Sequence, residues 1–299
     1  VVSAADSHPW SALPVIDAHT HAFSPQAHAD RERLVATDHW FGMLYANPKA
    51  RLAAPSETLA SMDGAGIARA LLCGFPWSDP GRCRAENAFL AEACAASGGR
   101  LHWLGMVVPG TPSAAADADW CLRHGAAGIG ELNADAQRVD LADPRPWRTL
   151  GEVALAHDRP LMFHASEPVG HDYPGKGTAT PARLLAMLAA IPEVTVVLAH
   201  FGGGLPFYEL MPEVRAATRN VVYDSGAATY LYDFAVFPRV IDLVGRERVL
   251  FGSDYPVLGQ GRFLRRTSAV LRDSDEAAAV LAGNTARVYR LPAMEGTPR

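Results

Sequence analysis

Lysine is almost missing from this sequence. Lys49 and Lys176 are the only two among 27 basic residues, and neither falls on a stretch that reads as a strand. Cysteine is scarce as well, four in 299 residues (Cys73, Cys83, Cys94, Cys121), with no C-x-x-C pair. A chain of this length needs no disulfide scaffold, so the expectation is four reduced thiols. No apolar run approaches the roughly 18–20 residues of a membrane span. A basic excess is also lacking: net charge is −5 and pI about 6.1, which removes the electrostatic case for nucleic acid. Residues 1–10 hold no charged segment followed by an apolar one, so no signal peptide is expected and a cytoplasmic protein is the default. Internal repeats, low-complexity linkers and long blocks of like charge are absent too.

What is present is a rhythm. Short apolar runs alternate with longer amphipathic stretches, and each run ends in Gly, Pro, Asp, Asn or His. Continuous apolar runs of this kind are strands buried on both faces, as in a parallel sheet. Eight can be placed, at 13–21 (LPVIDAHTH), 67–75, 101–109, 126–132 (AAGIGEL), 160–165 (PLMFHA), 194–200 (VTVVLAH), 221–225 (VVYDS) and 249–254 (VLFGSD). Helices are expected at 85–97, 113–124 (with Ser113 as N-cap), 146–157, 180–190, 205–218, 231–244 and 263–272. Eight strand–helix units over 299 residues predict one α/β domain spanning 1–299, a (β/α)8 TIM barrel. An open doubly wound sheet would gather its polar residues at one switch point; here they end strands along the whole chain. Long loops are expected at 22–55 after the first strand and at 167–178 after the fifth. Both leave the strand ends where barrel active sites lie.

The chemistry sits at those strand ends. His19 and His21, two apart on a strand, point to one face, and Asp17 is expected on that face one layer deeper. Glu131 ends the fourth strand, His164 the fifth, His200 the sixth and Asp254 the eighth. In a closed barrel these six side chains converge on one axis. Imidazole nitrogens and carboxylate oxygens suit Zn²⁺ and similar divalent ions, and leaving such a set buried without a cation would be costly.

The ordered series IDAHTH, FHAS, LAHFGGG, LFGSDYP and GNTARVYR resembles the amidohydrolase superfamily, over about 13–291. It is nearest to the branch that holds small-molecule hydrolases and the nonoxidative decarboxylases related to aminocarboxymuconate semialdehyde decarboxylase. The resemblance implies a distorted barrel with metal ligands His19, His21, His164 and Asp254, and a catalytic or second-metal histidine at His200. Many two-metal members carry a carbamylated lysine bridge on the fourth strand, which the positions of Lys49 and Lys176 exclude. Glu131 stands there instead, as a carboxylate bridge to a second metal held with His200, or as a hydrogen-bond partner of a ligand histidine.

The expected cofactor is therefore one or two divalent ions, zinc first and manganese second. Asp254 is the proton carrier and His200 the group that polarises the substrate or holds the second ion. The primary expectation is hydrolysis of a small ester, lactone or amide by metal-activated water. The alternative is nonoxidative decarboxylation of an aromatic or unsaturated acid, and the remote one a non-catalytic metal-binding barrel. Trp40, Phe41, Trp77 and Tyr255 are expected as apolar walls, His171 and Tyr173 as substrate contacts. Lys176, Arg82 or Arg84 would pair with a substrate carboxylate. A small molecule is the expected partner, and a homodimer the default assembly.

Overall fold

The computed structural model describes residues 8–293. Both ends of the expected 1–299 domain, 1–7 and 294–299, lie outside the described residues, and with them most of the stretch read for a signal peptide.

Eight strands follow in chain order: β1 (Ile16–His21), β2 (Arg69–Cys73), β3 (Leu101–Leu104), β4 (Ile129–Leu132), β5 (Leu161–Phe163), β6 (Val196–Leu198), β7 (Val221–Asp224) and β8 (Val249–Leu250). Neighbours pair in parallel from β1 to β3 and from β4 to β8. Two seams join the arcs. Gly105 bridges to Ile129, with Ala127 N donating to Trp103 O at 2.8 Å. Thr20 bridges to Tyr255, with Asp254 N donating to His19 O at 2.8 Å and His21 N to Tyr255 O at 2.6 Å. The ring is thereby a (β/α)8 barrel. Its strands are shorter than the apolar runs, so His164, His200 and Asp254 sit just beyond the strands that carry them.

The helices are α1 (Pro25–Ala29), α2 (Arg31–Thr37), α3 (His39–Tyr45), α4 (Pro55–Ala65), α5 (Pro80–Ala95), α6 (Ala114–Arg123), α7 (Pro144–Ala156), α8 (Pro181–Leu188), α9 (Pro212–Ala217), α10 (Val236–Val244), α11 (Gln260–Ser268), α12 (Ser274–Ala278) and α13 (Asn284–Val288). Six open on proline, whose fixed φ suits the first helical position and whose missing N–H costs nothing there. Asp79 and Asp143 cap α5 and α7 by accepting backbone N–H groups. Ser113 precedes α6 without making a cap bond, contrary to expectation. The stretch 22–55 is not loop but largely α1 to α3. The expected helix 205–218 is a run of tight turns, His200–Leu210, followed by the short α9. Phe201 and three consecutive glycines hold left-handed backbone there, which continues no helix.

Two cores result. Ile16, Ala18, Leu71, Leu104, Met162, Val197 and Val222 fill the barrel, closed at the floor by Val288 and Tyr289. The larger core lies between strands and helices and runs up into an aromatic cluster of Phe23, Phe41, Tyr45, Phe75 and Trp77. Among the described residues no helix is long and apolar enough to cross a membrane.

Candidate metal centre

Two irregularities build the site. On β1 the register slips between Asp17 and Thr20, so two residues, Ala18 and His19, oppose one, Leu71, on β2. Ile16 and Ala18 face the barrel interior below the slip; His19 and His21 face its mouth above it. Asp17 is therefore not on the histidine face. It turns outward, where its carboxylate accepts from Ser253 N (2.8 Å), Ser253 Oγ (2.6 Å) and Gln260 Nε2 (2.8 Å). Burial pushes Asp17 up to about 6 despite those donors. β4 slips in the same way between Ile129 and Leu132, which aims Glu131 at the axis.

Six side chains converge, in two groups. In the first, His19 Nε2 lies 3.2 Å from His21 Nε2 and 3.6 Å from Asp254 Oδ1, and His21 Nε2 lies 3.3 Å from Asp254 Oδ1. Glu131 Oε2 joins them at 3.5 and 3.6 Å from the two imidazoles. The second holds His164 Nδ1 and His200 Nε2, 3.1 Å apart, with Glu131 Oε1 at 3.0 and 3.4 Å. His164, expected with His19, His21 and Asp254, thus falls with His200 instead. The reason is geometric: Glu131 stands between the β1 and β5 ends and turns one oxygen to each group.

Electrostatics mark this as a place for cations. Glu131, Asp254 and Asp224 are buried carboxylates beside four imidazoles. Burial alone would depress His19, but Asp224, Asp254 and Glu131 hold it well above its ordinary value. His200 is likewise raised to about 9, the Glu131 and Asp254 charges outweighing burial. Burial opposes ionisation of Glu131 and Asp254, yet the histidines hold both below the usual carboxylate range. Asp254 Oδ1 is buried and has no hydrogen-bond donor. Donor atoms that share one ion at about 2.0–2.2 Å stand at most about 4.4 Å apart, a limit the first group's spacings meet. The donor set therefore fits a divalent ion. Asp254, in the first group, and His200, in the second, project from left-handed backbone, φ 62 and 56, uncommon for residues with a side chain and typical of functional positions.

Of the expected substrate contacts, Trp40 alone reaches the donors, its ring edge-on to His164 at 6.4 Å between centroids. Phe41 and Trp77 are fully buried, stacked on each other at 5.3 Å as core rather than wall. Tyr255 turns to the α4 side, its hydroxyl 3.2 Å from Arg51 Nη2 and 3.4 Å from Glu57 O. His171 is exposed, beside Tyr173, whose hydroxyl donates to Glu167 at 3.1 Å. Lys176 donates to the carbonyls of Val169, Gly170 and His171, so its charge is spent inside its own loop. Arg84 pairs with Asp117, and Arg82 lies over Trp77 beside Asp30. The loop 167–178 does meet the site: Gly175 O is 3.2 Å from His164 Nε2, and Gly175 also packs against Met43 and Leu44 of α3.

Sequence reading missed Asp224. Both its oxygens lie 3.2–3.3 Å from His19 Nδ1. The signal is an acidic residue at the end of the seventh run; with the run extending to Ser225 the carboxylate reads as inside the strand, whereas β7 ends at Asp224.

Comparison with known proteins agrees with this architecture. No curated protein sequence matches the chain significantly. Solved structures do. The 5-carboxyvanillate decarboxylase LigW from Sphingomonas paucimobilis superposes with a TM-score of 0.79 at 21% identity, covering 94% of this chain and 100% of its own. The 5-carboxyvanillate decarboxylase from Novosphingobium aromaticivorans, complexed with manganese and 4-hydroxy-3-methoxy-5-nitrobenzoic acid, gives 0.74 at 19% identity, covering 94% and 97%. The 2,6-dihydroxybenzoate decarboxylase from Rhizobium gives 0.72 at 18% identity, covering 93% and 99%. At such identities the likeness is one of fold. The sequence model of the amidohydrolase family matches residues 16–291, and the chain belongs to that family.

Proposed function

We propose that this protein is a metal-dependent carboxy-lyase that removes carbon dioxide from a small aromatic or unsaturated carboxylic acid. The observation that carries this is the conjunction of a cation-demanding His19–His21–Asp254 group with nearly full-length likeness to aromatic-acid decarboxylases, one of them holding manganese. It reverses the order of the two sequence expectations, in which hydrolysis came first.

His19, His21, Asp254 and Glu131 Oε2 would hold the ion, manganese or zinc, which when bound would supply a positive anchor for the substrate carboxylate and a neighbouring oxygen. Asp254 carries the proton. It takes up the proton that the bound substrate gives up and returns it to the carbon that loses the carboxylate; the C–C bond then breaks, its electron pair returns to the π-system and carbon dioxide leaves. Trp40 offers an aromatic edge beside the reacting ring, and α3 with the loop 167–178 shields the mouth from water.

Glu131 favours a second reading. Its two oxygens face different donor groups, as a bridge between two ions would, and two ions suit water activation and hydrolysis of an ester, lactone or amide. Incubation with a panel of aromatic acids, lactones, esters and amides, following carbon dioxide and acid release together, separates them. Carbon dioxide from an aromatic acid supports the lyase; acid release without it transfers the assignment to hydrolysis. Elemental analysis of protein purified without chelator should show about one or two divalent ions per chain. Metal-free protein with full activity would sink both readings. A cytoplasmic setting, which suits four unpaired buried thiols, and a homodimer belong to the same proposal; a concentration-independent monomer mass by light scattering would remove the dimer.

A further inference from the structure

We propose that Asp224, at the end of a strand that supplies no metal ligand, is the positioning residue that sets the tautomers of both His19 and His200, and so aims one imidazole at each of the two donor groups. The inference rests on the reading of these histidines as ligands of a divalent ion.

The argument begins with which atoms can donate. A carboxylate only accepts, so His19 Nδ1, 3.2 and 3.3 Å from the Asp224 oxygens, carries the hydrogen. In the neutral ring that a bound cation requires, Nε2 is then bare, and it is the atom that faces His21, Asp254 and Glu131. The same logic applies to His200. Its Nδ1 lies 2.6 Å from Gly226 O, which also only accepts, so its bare Nε2 faces Glu131 and His164. Asp224 also anchors the residues at both ends of that contact, because its Oδ1 accepts from Gly226 N at 2.7 Å and from His200 N at 3.4 Å. One buried carboxylate therefore holds one ring directly and anchors the N–H of the residue whose carbonyl backs the other.

Two observations separate this from ordinary packing. A Cβ on Gly226 would lie 2.5 Å from His19 Nδ1 and 2.9 Å from Asp224 Oδ1, so the chain leaves no room for a side chain where the carboxylate, glycine and imidazole meet. His164 is wired the opposite way: Nε2 points to Gly175 O and Nδ1 faces the donors. Its backing comes from the β5 loop and is independent of Asp224, which provides an internal control. A carboxylate behind a ligand histidine also raises the basicity of the ligating nitrogen, so loss of the charge is felt by a bound cation even where the ring stays in place.

The test uses zinc as the probe on the full chain. In the zinc-loaded protein labelled with ¹⁵N-histidine, His19 and His200 should appear as Nδ1–H rings and His164 as an Nε2–H ring. In Asp224→Ala, His19 should lose the single Nδ1–H signature and zinc affinity, measured by chelator competition, should fall by about 10–100-fold, while His164 is unchanged. Asp224→Asn keeps an acceptor oxygen and lacks the charge, so it should keep the tautomer and still bind zinc more weakly; it also serves if the alanine variant fails to fold. Wild-type affinity and tautomers in both variants would overturn the proposal, and so would weaker binding with every tautomer intact in Asp224→Ala. His19→Ala is the separate control: undiminished zinc binding there would refute the ligand reading, while the tautomer signals still judge Asp224.

Discussion

At the scale of single residues, the candidate site turns on carboxylates with different surroundings. Asp254 keeps one oxygen buried without a donor. Asp254→Asn should cut turnover by about 10²–10⁴-fold, the range for loss of a general acid or base, with kcat on any accepted substrate as the measurement; wild-type turnover would end the mechanism under either reading. Glu131 is the residue that tests the metal count. If its two oxygens serve two ions, Glu131→Gln should take metal content from about two per chain towards one, because an amide is the poorer ligand. An unchanged content of one would leave Glu131 as a partner of His164. A third residue predicts behaviour with pH away from the site. His102 is held down at about 4, first by burial and then by Arg69 and Arg159, and its Nε2 has no hydrogen-bond partner. Above about pH 6.5 the ring is neutral folded or unfolded and contributes no pH dependence. Between about 6.5 and 4 the unfolded chain binds a proton that the folded chain refuses, so stability falls as the solution is acidified through that window. His102→Gln should flatten the profile of melting temperature against pH there. An equally steep profile would assign the loss to other groups.

At the scale of elements, the two bulges matter more than any loop. Without the slip in β1, the period of two that puts Ile16 and Ala18 inside would turn His19 away from the mouth. The slip in β4 depends on Gly130. A Cβ there would sit 2.6 Å from both the side chain and the carbonyl of Met162, on a backbone with φ 150. Gly130→Ala should destabilise the fold by about 1–3 kcal/mol, the usual cost of overpacking, and should loosen metal binding by displacing Glu131; a denaturant midpoint and zinc affinity equal to wild type would refute this. The β1 and β5 connections then act as one unit. Met43 and Leu44 touch Gly175, and Asp135 holds Thr178 through its N (2.7 Å) and Oγ1 (2.7 Å), tying the cover over the mouth to the β4 end.

At the scale of the whole molecule, the barrel separates a floor that holds it together from a mouth that does chemistry. The floor is closed by the C-terminal segment. Tyr289 is fully buried beneath the strands, and Arg159 and Arg69 hold the carbonyls of Tyr289 and Pro292, each at 2.5 Å. Tyr289→Ala should cost about 3–5 kcal/mol, as for other large buried aromatics, without altering the donor geometry, so metal stoichiometry should survive while the denaturant midpoint drops. The mouth behaves in the opposite sense. Ions that bind the folded site and not the unfolded chain should raise the melting temperature, by the equivalent of about 2.7 kcal/mol at a hundredfold excess over Kd; indifference to added zinc and to chelator would argue against an ion in this centre.

Much of this could be read in the sequence alone. Eight apolar runs separated by amphipathic stretches determine a parallel barrel, because strands buried on both faces have no polar alternation to place elsewhere. The polar residues that end those runs, His19, His21, Glu131, His164, His200 and Asp254, determine that acidic and imidazole groups meet at one end, since closure leaves them no other destination. Tertiary structure decided the rest. The turning outward of Asp17 and the alignment of Glu131 between two groups follow from register slips, which depend on the neighbouring strand. The division of the candidate donors, with His164 beside His200, depends on distances across the ring. The burial of Phe41 and Trp77 in the core, and the engagement of Lys176 with its own loop, depend on how the covering helices settle. Asp224 acquires its meaning only because β7 closes behind His19, 205 positions away in the chain. Local pattern reports which residues are apolar or charged; which of them face one another is a property of the closed ring.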